Sequence, residues 1–335
     1  MKSVPTLTRL AAPLVALWLA IRSAVWNPTP QSMRRIAFWS IVVNAGITVT
    51  GAVVRVSKSG LGCPTWPGCT ADSYIPVAHP EHSPLNMAIE FGNRLLTFVV
   101  LAFAVAALIA ALRLAPRRRT LVRLASLQPL GVAVQGLWGG LVVGTNLNPV
   151  TVQMHFVFSI ALIAACVGLY VRAGEGDGPP RRIVHQDIRR LGHVLVIAVF
   201  GLLLAGTVVT GTGPHSGDER ASRFDFDIET VARIHADFVW AVAGLTFALL
   251  FALHVSNAPG RARQAAFTLF LVELSQGVIG YVQYFTALPA FLAGLHVLGA
   301  VLVWIATLRV VYLLRERDPV EAAAPSRPLA EAVSG

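Results

Sequence analysis

Between residues 36 and 314 the chain is a succession of eight apolar runs, each about 20 residues or longer, separated by short segments that hold most of the charge. At ~1.5 Å of rise per residue, such a run crosses the ~30 Å hydrocarbon layer as a helix, which satisfies its backbone groups internally. The runs are Ile36–Val54, Leu85–Leu112, Leu121–Val143, Val150–Val171, Leu191–Val209, Ile228–Val255, Ala265–Phe285 and Ala287–Leu314. With 55% hydrophobic and 13% charged residues, the composition is not that of a soluble domain. The net charge of +10 does not indicate nucleic acid, because the basic residues cluster between the apolar runs, as membrane topology requires. The expected fold is an all-α integral membrane protein with eight transmembrane helices. A shorter stretch, Leu10–Ile21, ends at Arg22 and reads as an interfacial helix rather than a ninth span or a cleaved signal. The tail from Glu316, rich in Ala, Pro and Glu, reads as disordered.

The arginines set an expected orientation. Arg34/Arg35, Arg117–Arg119 with Arg123, Arg181/Arg182 with Arg189/Arg190, Arg261/Arg263 and Arg315/Arg317 fall on one side; Asp72, Glu81, Asp218, Glu219, Asp225 and Asp227 fall on the other. The positive-inside bias puts both termini in the cytoplasm of a cell-membrane protein. The stretch "SGLGCPTWPGC" then faces outward, where disulfides persist, and Cys63 and Cys69 read as an oxidisable pair. The alternative is zinc held by Cys63, Cys69, His79 and His82, although the first spacing is wide for such a site. No C-x-x-C-H, Walker or dinucleotide-binding sequence occurs.

Self-similarity is the next constraint. "VQGLWGG" and "SQGVIGY" share Gln-Gly-x-x-Gly, and the pairs Gln135 and Gln276, Gly139 and Gly280, His155 and His296 are each 141 positions apart. "TGAVV" and "AGTVV" carry the repeat to the first helix of each half. Four helices per unit, an even number, imply halves related by an axis along the membrane normal. The expected architecture is therefore two parallel-repeat four-helix bundles. The boundaries are an N-terminal segment 1–33, a first bundle 34–173 with an outer cysteine loop 57–84, a linker 174–190, a second bundle 191–315 and a tail 316–335.

Histidines within membrane segments are uncommon and invite a function. His155, His235 and His296 each lie in an even-numbered helix, one or two turns from its outer end, and the matching residue of the remaining even helix is Asn93. Equal depth lets two imidazoles approach a flat macrocycle from opposite faces, the ligation of a b-type haem. The second half offers such a pair, His235 and His296. The first offers His155 facing Asn93, which leaves one axial position open or weakly held. The alternative for all three histidines is hydrogen bonding between helices. Glu90, three residues before Asn93 on the same face, either takes a proton beside a haem edge or is a helix-start carboxylate favoured by the dipole. Arg55, Arg94 and Arg233 share the outer level and suit haem propionates, or are ordinary interfacial arginines. Glu273, well inside the seventh run, serves a proton path or an interhelical bond. The repeated glycines admit a neighbouring helix or a flat ring, helix packing being the simpler cause, and Cys166 reads as a small core residue.

On these residues the chain resembles the haem A synthase family, which converts haem O to haem A for cytochrome oxidases. "TGAVVRVSKSGLGCPTWPGC" resembles the family's first outer loop, "IEFGNRLLT" its glutamate-bearing second helix, and "ARIHAD" and "GLHVLGA" its two second-half histidine helices. The resemblance covers nearly all of the eight-run region. It implies oxidation of the C8 methyl of haem O to a formyl group through a hydroxymethyl stage, with a haem b as redox cofactor. Carried over by position, His235 and His296 ligate haem b, while His155, with Asn93, Arg55 and Arg94, forms the substrate-haem site. Glu90 acts near the oxidised carbon, and the Cys63–Cys69 pair exchanges electrons or shapes the outer face. The family's Glu-x-x-His reads Glu90-x-x-Asn93 here. The resemblance further implies an electron donor, supply of haem O by a haem O synthase (protohaem farnesyltransferase), a membrane setting compatible with a homo-oligomer, and apolar grooves for the farnesyl tail, worth ~0.8 kcal/mol per buried methylene. Two rivals use similar elements. A b-type dihaem electron carrier or quinol oxidoreductase needs two equivalent ligand pairs, which Asn93 opposes; a transporter needs polar, broken helices near the midplane, whereas the polar residues here sit near the outer boundary.

Overall fold

The computed structural model describes residues 26–77 and 83–319. Leu10–Ile21, His79 and His82, and most of the tail lie outside the described residues. Eight long helices make up the described chain: α1 Pro30–Val56, α2 Pro84–Arg113, α3 Arg119–Gly144, α4 Pro149–Ala173, α5 Gln186–Thr212, α6 Ile228–Val255, α7 Gly260–Phe285 and α8 Ala290–Leu313. All eight are long and apolar enough to span a membrane.

Local chemistry fixes where they begin. Thr29 and Ser32 form a reciprocal capping box, in which Ser32 N–H donates to Thr29 Oγ1 at 3.1 Å and Thr29 N–H to Ser32 Oγ at 2.8 Å. Proline, which lacks the N–H that a first turn leaves unpaired, occupies the opening turn of α1, α2 and α4. Asp227 caps α6 by accepting from Thr230 N–H at 2.8 Å and from its hydroxyl at 2.7 Å. The Thr230 hydroxyl first, and then its amide, hold the Asp227 carboxyl below its ordinary pKa.

The helices pack as two rings. In the first, α1 lies against α2, α2 against α3, α3 against α4, and α4 back against α1; α5 to α8 close a second ring in the same order. The rings meet where α8 packs on α1 and α4, and where α4 packs on α5. Ile160, Ile163, Leu195, Leu249, Leu269 and Val301 form the largest buried cluster, and Trp304 Nε1 donates to the Ile160 carbonyl across the seam at 2.8 Å. Large side chains such as Phe98, Ile197, Trp240 and Phe251 remain exposed on the perimeter, as suits a surface that faces lipid tails.

Two four-residue turns, 141 positions apart, have the same backbone form. Between α3 and α4, Asn146 and Leu147 take positive φ; between α7 and α8, Ala287 and Leu288 do the same, 141 positions later. Leu147 N–H bonds Val142 O, and Leu288 N–H bonds Gln283 O, both at 2.9 Å. The last helix therefore begins at Ala290 rather than at the expected Ala287, because left-handed backbone at 287 and 288 interrupts the apolar run.

The connections gather at two ends. At one end, the segment following α1 docks on the α5–α6 connection: Gly60 N–H donates to Gly217 O at 2.8 Å, and Lys58 pairs with Glu219 at 2.9 Å. Gly217, at φ +102°, is a place where a side chain would be strained. At the opposite end, the two-residue strands β1 (Arg181–Arg182) and β2 (Arg315–Glu316) pair antiparallel. Beside them Glu175 accepts from Arg172 at 2.7 Å and from Arg315 at 3.1 Å, while Arg118 meets Asp177 at 2.9 Å. Gly176 N–H reaches Asp318 O at 2.6 Å. Residues 316–319, expected to open a disordered tail, are thus tied to the 174–182 segment by main-chain bonds.

Candidate functional site

The second ring brings His235 and His296 together. They project from α6 and α8, which stand diagonally across the ring, and their ring centroids are 6.3 Å apart with planes at 77°. Two metal–imidazole bonds of ~2 Å each, together with the distance from each donor nitrogen to its ring centre, span about that length. The pair therefore fits bis-imidazole ligation of a haem iron.

Glycines lie beside these rings. A Cβ on Gly280 of α7 would lie 3.7 Å from His296 Cε1, and one on Gly206 of α5 only 3.1 Å from His235 Cε1. The first ring repeats half of this arrangement: a Cβ on Gly139 of α3 would lie 3.6 Å from His155 Cε1. Only at Gly206 would a methyl press on its histidine, since 3.6 and 3.7 Å are ordinary van der Waals contacts. The Nδ1 atoms of His155, His235 and His296 are buried without hydrogen-bond partners.

Asn93 of α2 is the residue that matches His235 of α6 in the sequence repeat. Its Oδ1 lies 2.7 Å from Thr50 Oγ1. Thr50 was not singled out from the sequence, although it precedes Gly51, the counterpart of Gly206, in the repeated "TGAVV".

Glu90 and Arg94 are engaged together. Glu90 is buried, with Oε2 accepting from Cys63 N–H at 2.7 Å and Oε1 accepting from Arg94 Nε at 3.1 Å and Nη2 at 2.5 Å. Arg94 Nη1 donates to the carbonyls of Thr65 and Gly68 at 2.8 and 3.1 Å, and Nη2 also reaches Cys63 O at 2.8 Å. These contacts use all five guanidinium N–H groups, so the expected pairing of Arg94 with a haem propionate gives way to a clamp on the cysteine loop. Cys63 and Cys69, both fully buried, form a disulfide with S–S 2.06 Å. That bond removes the two thiolates which the zinc alternative required. Trp66, between them, lies over Gly140, where a Cβ would come within 2.7 Å of its ring. The loop, Glu90, Arg94 and the glycine face of α3 are therefore one packed unit above His155's helix pair.

The other candidates disperse. Arg55 donates from Nε to His215 O at 2.5 Å and from Nη2 to Thr210 O at 2.9 Å, joining the two rings at the disulfide end. Arg233 is exposed and pairs with Glu229 at 3.3 Å. Glu273 accepts from Thr246 Oγ1 at 2.9 Å between α7 and α6, the interhelical bond of its two readings. Cys166 is buried and free, 3.5 Å from Asn44 Nδ2. No cluster of three or more His, Cys, Asp or Glu suited to a bare metal ion occurs among the described residues.

Among known proteins, the chain is similar to heme A synthases of several bacteria. A heme A synthase of Shewanella oneidensis is 27% identical over 51% of this chain and 53% of its own length. One from Geobacillus kaustophilus is 32% identical over 37% of this chain and 38% of its own. One from Azorhizobium caulinodans is 26% identical over 83% of this chain and 93% of its own. The chain thus spans about half or less of the length of the first two relatives and nearly all of the third. The family model described as cytochrome oxidase assembly protein matches residues 34–215, which include the disulfide loop, Glu90, Asn93 and His155. On that match, which covers more than half of its length, the chain belongs to the COX15-CtaA family.

Proposed function

We propose that this protein is a haem A synthase, oxidising the C8 methyl of haem O to a formyl group by way of a hydroxymethyl intermediate, with a resident haem b in the second ring. The observation that carries the reading is the 6.3 Å pairing of His235 and His296 across diagonal helices, with His155 set on its own glycine at the repeated position of the first ring. Haem b, when bound, supplies one-electron redox chemistry.

The chain's own residues would divide the remaining work. His235 and His296 hold the cofactor, and the lack of a side chain on Gly206 leaves the His235 ring its room. His155 binds the substrate iron. Each stage of the oxidation releases protons, and Glu90 Oε2, which accepts a single bond from Cys63 N–H, retains a lone pair for one. Arg94 keeps that carboxylate in position. The disulfide loop, with Trp66 on Gly140, covers the first ring and excludes water from it.

The same reading divides the chain into parallel-repeat bundles at 34–173 and 191–315. It sets the disulfide end outside the cell membrane and the arginine end in the cytoplasm. It also calls for an electron donor, a haem O synthase upstream, and lipid contacts for the farnesyl tail; self-association is compatible with it. The test is expression in a host that has haem O synthase but no haem A synthase of its own, followed by haem extraction. Appearance of haem A is the expected result, and haem O alone would reduce the protein to an electron carrier.

A further inference from the structure

The two rings build their histidine sites on the same scaffold but differ at one position. On the α4 and α8 side they match: a Cβ built on Gly139 or Gly280 would lie 3.6 or 3.7 Å from Cε1 of His155 or His296. On the α2 and α6 side they diverge. A Cβ built on Gly206 would lie 3.1 Å from His235 Cε1, whereas among the described residues no heavy atom from outside its own helix comes within 4 Å of a Cβ built on Gly51, the counterpart glycine of α1. Asn93 does not fill the place an imidazole takes in the other ring.

Its side chain is held elsewhere. At 2.7 Å the contact between Asn93 Oδ1 and Thr50 Oγ1 has the length of an O–H···O bond and is shorter than usual for N–H···O. The Thr50 hydroxyl also lies 3.1 Å from Ile47 O, but it has one proton, and the shorter contact takes it. The amide oxygen is therefore the acceptor. The amide nitrogen has no acceptor among the described residues, and its delocalised lone pair makes it no ligand for iron.

We infer that Asn93 is a hydrogen-bond donor in the substrate-haem site rather than an iron ligand, leaving the iron held by His155 with a free axial position and offering an amide N–H to a small oxygen-class or anionic ligand bound there. This rests on the haem reading of the first ring. Thr50 is the positioning residue, since it fixes which way the amide points.

The test uses the purified full chain with its resident haem b, titrated with ferric haem O and then with azide, and followed by optical and electron paramagnetic resonance spectra. The low-spin signal of haem b reports in every variant that the protein is folded. In the wild type, the added haem is expected to be high-spin and to bind azide. Asn93→His should convert it to low-spin and block azide. Asn93→Leu should keep it high-spin and weaken azide binding about tenfold through loss of the donor. A low-spin added haem in the wild type, an unchanged spin state in Asn93→His, or undiminished azide affinity in Asn93→Leu would overturn the inference while leaving the substrate site standing. Saturable binding that is unaffected by His155→Ala, or no binding at all, would remove the site itself and this inference with it.

Discussion

His235 and His296 face each other from diagonally opposed helices with their ring centroids 6.3 Å apart. Their separation in sequence is 61 positions, and only closure of the second ring brings them together. Removing either imidazole should abolish the low-spin haem b spectrum of the purified protein. His155→Ala should leave that spectrum intact and stop formation of haem A. Spectra and haem extraction on the three variants separate the two sites, and a full haem b spectrum in both second-ring variants would dismiss the assignment.

The glycine contacts predict a graded response. A methyl at Gly139 or Gly280 meets His155 or His296 at ordinary van der Waals distance, 3.6 or 3.7 Å, so Gly139→Ala and Gly280→Ala should bind haem nearly as the wild type does. At Gly206 the same methyl comes within 3.1 Å of His235. Gly206→Ala should shift the haem b spectrum or lower its occupancy. Equal behaviour of all three substitutions would mean that the glycines do not position the rings.

Arg94→Ala strands a buried carboxylate and leaves the carbonyls of Cys63, Thr65 and Gly68 without their donor. Breaking such a pair costs roughly 3 kcal/mol. The cysteine loop should loosen, so that a membrane-impermeant reductant opens the Cys63–Cys69 bond faster than in wild type. Glu90→Gln keeps a neutral acceptor for Cys63 N–H and should hold the loop better than Arg94→Ala, yet lose haem A formation. An unchanged reduction rate in Arg94→Ala would show that the loop stands without the clamp.

Thiol labelling of the native protein should find no reactive cysteine, because Cys63 and Cys69 are bonded and Cys166 is buried. Denaturation without reductant should expose one thiol, and denaturation with reductant three. Ready labelling of Cys63 or Cys69 in intact cells without reductant would rule out the bond.

Asp227 links pH to the start of α6, eight residues before His235. Its carboxyl is held below the ordinary pKa by Thr230, so the folded state prefers it ionised. That contribution is present above the unfolded carboxylate pKa and is lost as pH falls through the depressed folded value. Asp227→Ala should therefore lower the thermal stability of the holoprotein at neutral pH and leave it unchanged in acid, below both values. Thermal melts of wild type and variant that differ equally at both pH values would exclude the cap.

Much of this was legible before any coordinates, because lipid imposes a strong rule. A run such as Leu85–Leu112 must be a helix if it crosses the bilayer, and the 141-residue offset relating His155 to His296 carries the repeat without further information. The boundaries were less legible. Ala287 and Leu288 are apolar and read as helix, yet their left-handed backbone makes the turn into α8. The roles of Arg94 and Thr50 were hidden for another reason: both act on groups distant in sequence, three loop carbonyls in one case and the Asn93 amide in the other. An interfacial arginine has the same sequence signature whether it meets a propionate or a carbonyl.

The meeting of Glu175 with Arg315, and of β1 with β2, has a topological consequence. The chain leaves the first ring and, after building four more helices, returns to the point of departure. The second ring is thus a loop of chain whose entry and exit are tied together at the arginine end, while its seam and its far end are fastened to the first ring as well. Four helices are enclosed between two neighbouring points of the chain, so the ends of the second ring cannot drift apart without breaking the Glu175–Arg315 pair.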